Sequence, residues 1–202
     1  MPRLLESLLT ESVVARFRSF PVGAKPSREY SNYIIAICRA IAAAHEHWRQ
    51  SARLIGLQIN GPTATGGRFI GPSLAEIINT RGPLQGLSGL AMPYTRAIGD
   101  GLAASWSEWQ QSVRVPALSW YPSFAAVPSP HAPPVPNVPT GLSKLSWSPV
   151  TLTPDNLKLS IKKRLPKPGP ASEELFTSVA TGFSKAVAAW IASQVVTGVM
   201  GK

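Results

Sequence analysis

The chain is poor in the residues that build redox, disulfide and metal sites. It has a single cysteine, Cys38, among 202 residues, so no internal disulfide can form and nothing indicates an oxidising compartment. Cys38 lies in an apolar run, where cysteine is typically a small buried hydrophobic residue. Two of the three histidines, His45 and His47, diverge on a predicted helix, and the third is distant, so the sequence predicts no metal site.

Patterns of catalytic residues are lacking as well. The ten acidic residues are scattered apart from Glu173 and Glu174, and no nucleophile motif such as G-x-S-x-G occurs. A glycine-rich segment over 60–72 has two glycines at P-loop spacing, but Gly67 and Arg68 stand where a P-loop needs Lys and Ser or Thr. The sequence therefore predicts a protein that is not an enzyme and that binds no cofactor.

Charged residues and long apolar runs are also scarce. Only 15% of the residues are charged, yet the net charge is +10, which makes an anionic partner plausible. Acidic residues near the start interrupt what would be the apolar core of a signal peptide, so none is expected. The longest apolar run, over 186–201, is short and contains polar residues, which argues against a transmembrane span.

Proline is abundant, and it is concentrated in one segment. Ten of the twenty prolines lie within 115–154, where each fixes φ and removes an amide donor, so neither a helix nor a central strand is expected. Aromatic residues punctuate the same segment: Trp120, Tyr121, Phe124 and Trp147. The pattern predicts an extended arm that lies against another surface through its aromatic side chains.

Apolar residues recur at helical spacing on both sides of this segment. They predict helices over 4–18, 27–57, 74–80 and 93–113, and a further helix from 170 towards Gly198. Trp106 and Trp109 share one face of the fourth helix, which is typical of a core or of a subunit contact, although such a pair could also stack on bases or lie at a lipid interface. Gly99 and Gly101 weaken this helix but would permit a close helix neighbour.

The residues after the proline-rich segment alternate between apolar and polar. Leu157, Leu159 and Ile161 alternate with Lys158, Ser160 and Lys162. This alternation predicts a single amphipathic strand that pairs with another subunit or with the sheet edge of a partner. The basic residues make this the densest positive patch of the chain: Lys158, Lys162, Lys163, Arg164 and Lys167. The patch could contact phosphates, or it could protect an exposed strand edge from aggregation.

The predicted fold is mainly α, with amphipathic helices flanking a long extended arm and at most one or two isolated strands. We expect no compact single core. The expected organisation is a helical region over 1–114, the arm over 115–154, a basic strand or linker over 155–169, and a C-terminal helix over 170–202.

Ala-rich helices end in SWSEWQQSVRVPALSWYP, and FAAVPSPHAPPVPNVPTGLSKL follows. With this combination, residues 89–145 resemble structural proteins of tailed-phage particles and of related contractile injection machines. This resemblance implies extended arms that bind neighbouring subunits, and a place in a virion assembled in the host cytoplasm.

Two functional hypotheses follow. The first is a non-enzymatic subunit of a large symmetric assembly, such as a virion head, neck or tail, that binds copies of itself and other structural proteins. Its candidate interface residues are Trp106, Trp109, Trp120, Tyr121, Phe124, Trp147, Leu157, Leu159 and Ile161. The alternative is a basic protein that binds nucleic acid or an anionic membrane through Lys158, Lys162, Lys163, Arg164 and Lys167.

Overall fold

The computed structural model describes residues 2–19, 27–126, 133–165, 167–169 and 172–201. Six α-helices lie in these described residues: α1 Pro2–Arg18, α2 Arg28–Ser51, α3 Leu74–Arg81, α4 Ala91–Ser112, α5 Pro154–Lys162 and α6 Ser172–Ser193. The strands are β1 Arg53–Asn60, β2 Thr63–Ile70, β3 Val115–Ser119, β4 Val135–Pro136, β5 Thr140–Gly141, β6 Val195–Val196 and β7 Met200–Gly201. The mainly helical character predicted from the sequence is confirmed.

Polar caps fix the beginnings of two helices where the sequence predicted them. The Ser27 hydroxyl accepts a hydrogen bond from the Tyr30 amide at 3.1 Å, and the Ser73 hydroxyl accepts one from the Ala75 amide at 3.2 Å. Each bond satisfies an amide that has no partner inside its own helix. The caps therefore set the starts of α2 and α3.

The predicted C-terminal end of α2, near Leu57, is wrong. The helix ends at Ser51, and the chain continues as β1, which pairs in antiparallel fashion with β2 across the turn at Gly61 and Pro62. Gly56, at φ 71°, has a backbone conformation that suits glycine and interrupts the helical pattern. The sequence over 53–60 satisfies both periodicities in part, and the long-range pairing with β2 decides between them.

Helices approach closely where glycine faces a neighbouring element. A Cβ added to Gly101 of α4 would lie 2.6 Å from the Ile161 Cα of α5, and a Cβ added to Gly182 of α6 would lie 2.5 Å from the Val13 Cγ2 of α1. Neither position can hold a side chain without moving its neighbour. The predicted close approach at Gly101 is therefore confirmed, with α5 as the partner.

The predicted extended arm and the predicted lack of a single core are wrong. The described part of the 115–154 segment folds back on the chain: β3 pairs with β2, β4 with β7, and β5 with β6. Trp120, Tyr121 and Phe124 are buried in one hydrophobic cluster that also includes residues of all six helices. Docking within a chain costs no translational freedom, so these anchors gain more by packing on their own helices than on a separate molecule. Residues 127–132 of the segment lie outside the described residues.

The predicted strand within 155–169 is also wrong, because residues 154–162 form α5. Leu157, Ile161 and Leu165 are buried and recur every four residues, whereas Leu159 is 51% exposed. Residues that recur every four positions lie on one face of a helix. A strand would instead place all four of these leucine and isoleucine residues, Leu159 included, on the same face of a sheet. Pro154 at the first turn and Asp155 after it are helix-start signals that agree with this result.

Candidate interaction site

The predicted interface residues are mostly used by the chain's own core. Seven of the nine are buried: Trp106, Trp109, Trp120, Tyr121, Phe124, Leu157 and Ile161. Trp147 is half-buried, and Leu159 is 51% exposed. Of the nine, Leu159 therefore offers the most accessible side chain to a partner. The interface assignment itself stays a prediction.

An aromatic cluster is formed by six aromatic rings and one imidazole, which come from three helices and one strand. The sequence did not predict this cluster as a unit. Its members are His45, Trp48, Phe69, Trp106, Trp109, Phe183 and Trp190. The rings of Trp48 and Trp106 meet edge to face, with centroids 4.8 Å apart, and those of His45 and Trp190 meet in the same way at 4.6 Å. This geometry is the one that the charge distribution of aromatic rings favours. The cluster therefore joins α2, α4, α6 and β2 into one rigid unit.

The polar atoms of the aromatic cluster are unevenly satisfied. Trp48 Nε1 donates a hydrogen bond to Gln110 Oε1 at 2.6 Å, whereas His45 Nε2 has no partner among the described residues. His45 is 2% exposed, and burial lowers its pKa to about 4, with nearby Glu46 and Arg49 acting in opposite directions. The imidazole is therefore neutral near pH 7.

A cleft of about 550 Å³ opens beside the aromatic cluster. Trp48, Phe69 and Trp190 line it together with the first two residues of β1. The segment 194–200, which carries β6 and the start of β7, also lines it. We call this the aromatic cleft. Its lining residues come from chain positions 48 to 200, so no local sequence pattern could have identified it.

The charged residues of the aromatic cleft are both arginines. Arg49 is paired with Glu46, with Nη2 at 2.7 Å from Oε1, and this hydrogen bond lowers the pKa of the Glu46 carboxyl. Arg53, at the start of β1, is exposed and makes no ion pair with any described residue. None of the residues lining the cleft is acidic. The cleft therefore combines an aromatic surface with one arginine, Arg53, that has no ion-pair partner among the described residues.

The outer edge of β1 is unpaired in the described residues. The sheet order is β1–β2–β3, so β2 covers one edge of β1 and no described strand covers the other. β1 contains Leu54, Ile55, Leu57 and Ile59. Its first residue, Arg53, is charged, and from Leu54 to Asn60 it contains no proline and no charged residue. Proline and charged residues are the usual protection of a free strand edge against pairing with another chain. This edge is available to an incoming strand.

The basic residues after the proline-rich segment do not form a free cluster. Lys158 and Lys162 both pair with Glu173, with Lys162 Nζ at 2.9 Å from Oε2, and these lysines lower the pKa of the Glu173 carboxyl. Arg164 Nη1 donates to the Ser160 carbonyl oxygen at 2.6 Å. Lys163 and Lys167 are exposed. Anion binding by this patch stays a prediction, and the structure shows three of its five cations engaged within the chain.

Other candidate chemistry is sparse. The described residues contain no group of three or more His, Cys, Asp or Glu side chains placed to hold a metal ion. Cys38 is buried, and burial raises the pKa of its thiol to about 12. Among the described residues α6 alone is long and apolar enough to cross a membrane, and 56% of its most apolar window is buried inside the fold.

Comparison with protein-family models, with curated proteins and with solved structures found no match to this chain.

Proposed function

We propose that this chain is a non-enzymatic structural subunit of a larger symmetric assembly, and that the assembly is a phage virion head, neck or tail or a related contractile injection machine. The observation that carries the proposal is the unpaired outer edge of β1. Eight residues of strand present about 26 Å of backbone hydrogen-bonding groups along that edge. A neighbouring subunit that adds a strand there satisfies those groups and covers the apolar side chains.

Exposed apolar side chains elsewhere support a subunit with more than one neighbour. Val150, near the end of the proline-rich segment, is 63% exposed, and Leu159, which follows that segment, is 51% exposed. An assembly in which each copy touches several others requires such separate contact surfaces. The proposal assigns the proline-rich segment a different role from the predicted one, because its aromatic residues hold β3, β4 and β5 on the body of the subunit.

The test is the composition of purified particles. We expect the chain in a fixed ratio to the other particle proteins, measured by quantitative mass spectrometry after a density gradient, and its gene beside portal, sheath or tube genes. Replacing Gln58 and Asn60 with lysine places charge along β1 and should remove the chain from the particles. A matched variant with lysine at the exposed positions Asn32 and Gln85, near the beginning of α2 and so at the end of that helix opposite β1, adds the same charge and should assemble normally.

Two outcomes contradict the proposal. One is normal incorporation of the β1 variant, which would show that the edge makes no subunit contact. The other is a chain that is never found in particles and binds nucleic acid with a steep loss of affinity at high salt, which would favour the alternative hypothesis.

A further inference from the structure

The aromatic cleft has the features of a binding site that adjoins β1 at Arg53 and Leu54, while most of its lining residues come from other elements. Binding there does not depend on the strand pairing on which the proposed function rests. Its volume of about 550 Å³ lies within the usual range of ligand pockets, about 300 to 1,000 Å³. Trp48 is held in place by the rings packed around it and by its hydrogen bond to Gln110. The aromatic surface is therefore preorganised, and binding would require little reordering of it.

The rim of the aromatic cleft offers unused backbone and apolar groups. Thr197 and Gly198, between β6 and β7, make no backbone hydrogen bond to any described residue. Gly198, at φ 75°, has nothing within 4 Å of the position that a Cβ would occupy. Val195 and Met200 on either side are 55% and 53% exposed. An extended peptide alongside this segment would find free hydrogen-bonding groups flanked by apolar side chains.

Charge decides which kind of peptide fits. The cleft carries Arg49 and Arg53 and no acidic residue, so a carboxylate entering it would gain a charge-assisted hydrogen bond from a guanidinium. A second copy of this chain offers few such segments, because only 10 of its 202 residues are acidic. Nucleic acid is less suitable, since two arginines, one of them already paired with Glu46, provide few phosphate contacts.

We propose that the aromatic cleft binds a short extended segment of another protein, in which a carboxylate lies next to a large apolar side chain. The apolar side chain packs on Trp190 and Phe69, and the carboxylate accepts hydrogen bonds from Arg53. The peptide backbone pairs with Thr197 and Gly198. This site is an interaction surface in addition to the edge of β1, and it does not require that the chain assemble with itself.

The test uses a labelled peptide as probe. A fluorescein-labelled hexapeptide with a central glutamate between phenylalanine and leucine is compared with the same peptide carrying glutamine, by fluorescence polarisation against the full chain. We expect the glutamate peptide to bind more tightly. The Arg53→Glu variant should weaken its binding about tenfold, because the cleft then repels the carboxylate. Met200→Glu, at an exposed rim position, should weaken it in the same direction.

The matched control is Arg28→Glu, which makes the same change in net charge at the opposite end of α2, about 35 Å away. It should leave the affinity within about twofold of the original. An equal loss in Arg28→Glu would overturn the proposal, since it would show attraction by overall charge alone. So would equal binding of the glutamate and glutamine peptides, no binding of either, or tighter binding of an oligothymidine strand. Circular dichroism of each variant confirms that the fold is retained.

Discussion

The burial of His45 predicts that the folded chain loses stability in mild acid. The imidazole lies inside the aromatic cluster, 2% exposed, with the rings of Trp106 and Trp190 against it. Burial lowers its pKa from 6.5 to about 4 in the folded chain. An unfolded chain binds a proton at His45 as the pH falls below about 6.5, whereas the folded chain does so only near pH 4. Stability from the neutral imidazole is therefore present above pH 6.5 and is lost on acidification.

The size of the effect follows from the two pKa values. Each pH unit between them corresponds to about 1.4 kcal/mol, so the complete loss by pH 4 amounts to about 3 kcal/mol. Between pH 7.5 and pH 5 the expected loss is about 2 kcal/mol, since the unfolded state is then mostly protonated at this residue and the folded state is not. Carboxylates contribute little above pH 5, because their ordinary pKa values lie near 4. Between pH 5 and pH 7.5 the pH dependence of stability is therefore expected to come mainly from histidine, and replacing His45 identifies its share.

The assay is urea unfolding followed by tryptophan fluorescence at pH 7.5 and at pH 5. His45→Phe keeps a ring in the aromatic cluster and removes the ionisable group. Most of the difference of about 2 kcal/mol in the free energy of unfolding between the two pH values should therefore disappear. His47→Phe makes the same replacement at an exposed neighbour and should keep the pH dependence. A wild-type stability that is equal at both pH values, or a difference that persists in His45→Phe, would show that burial of His45 does not cause the acid sensitivity.

Three further predictions concern packing and charge. Gly101→Ala should lower the free energy of unfolding in urea by about 1 to 3 kcal/mol, because the added Cβ would lie 2.6 Å from the Ile161 Cα. This cost should exceed the gain from the higher helix propensity of alanine. An unchanged urea midpoint would contradict the close packing of α4 and α5. Trp120→Ala should lower the free energy of unfolding by about 3 to 5 kcal/mol, because Trp120 is buried. Leu159→Ala should lower it by less than about 0.5 kcal/mol, because Leu159 is exposed. Similar losses in the two variants would contradict the burial of the proline-rich segment. Glu173→Gln should lower the free energy of unfolding by less than about 1 kcal/mol, because its ion pairs are exposed. The variant should elute from heparin at a higher salt concentration than the wild type, because Lys158 and Lys162 are then free to bind sulfate groups. Elution at a lower salt concentration would contradict this prediction.

The helices were predictable from the sequence because their signals are local. Ser27 and Ser73 cap helices that begin where expected, and the apolar repeats over 93–113 correspond to α4. The same local pattern misled at α5, where the alternation of Leu157, Leu159 and Ile161 hid a four-residue repeat. A short segment can satisfy both periods, and the packing of its neighbours then decides the outcome.

The path of the proline-rich segment and the site beside it depend on distant contacts. Proline excludes helix but does not say which surface the segment packs on, and Tyr121 is held by the Pro62 carbonyl through its amide and by the Val199 carbonyl through its hydroxyl. The aromatic cleft likewise joins Trp48, Phe69 and Trp190 from three separate elements. No spacing in the sequence encodes these pairings, because they arise from the tertiary fold.

In the proposed assembly a neighbouring subunit completes the sheet at β1. Hydrogen–deuterium exchange, measured by mass spectrometry on the isolated chain and on assembled particles, is a direct test of this pairing. We expect peptides covering Arg53–Asn60 to become strongly protected in the particle. Peptides covering α4, many of whose side chains are already buried, should change little. Equal exchange of the β1 peptides in both states would show that no subunit pairs with this strand.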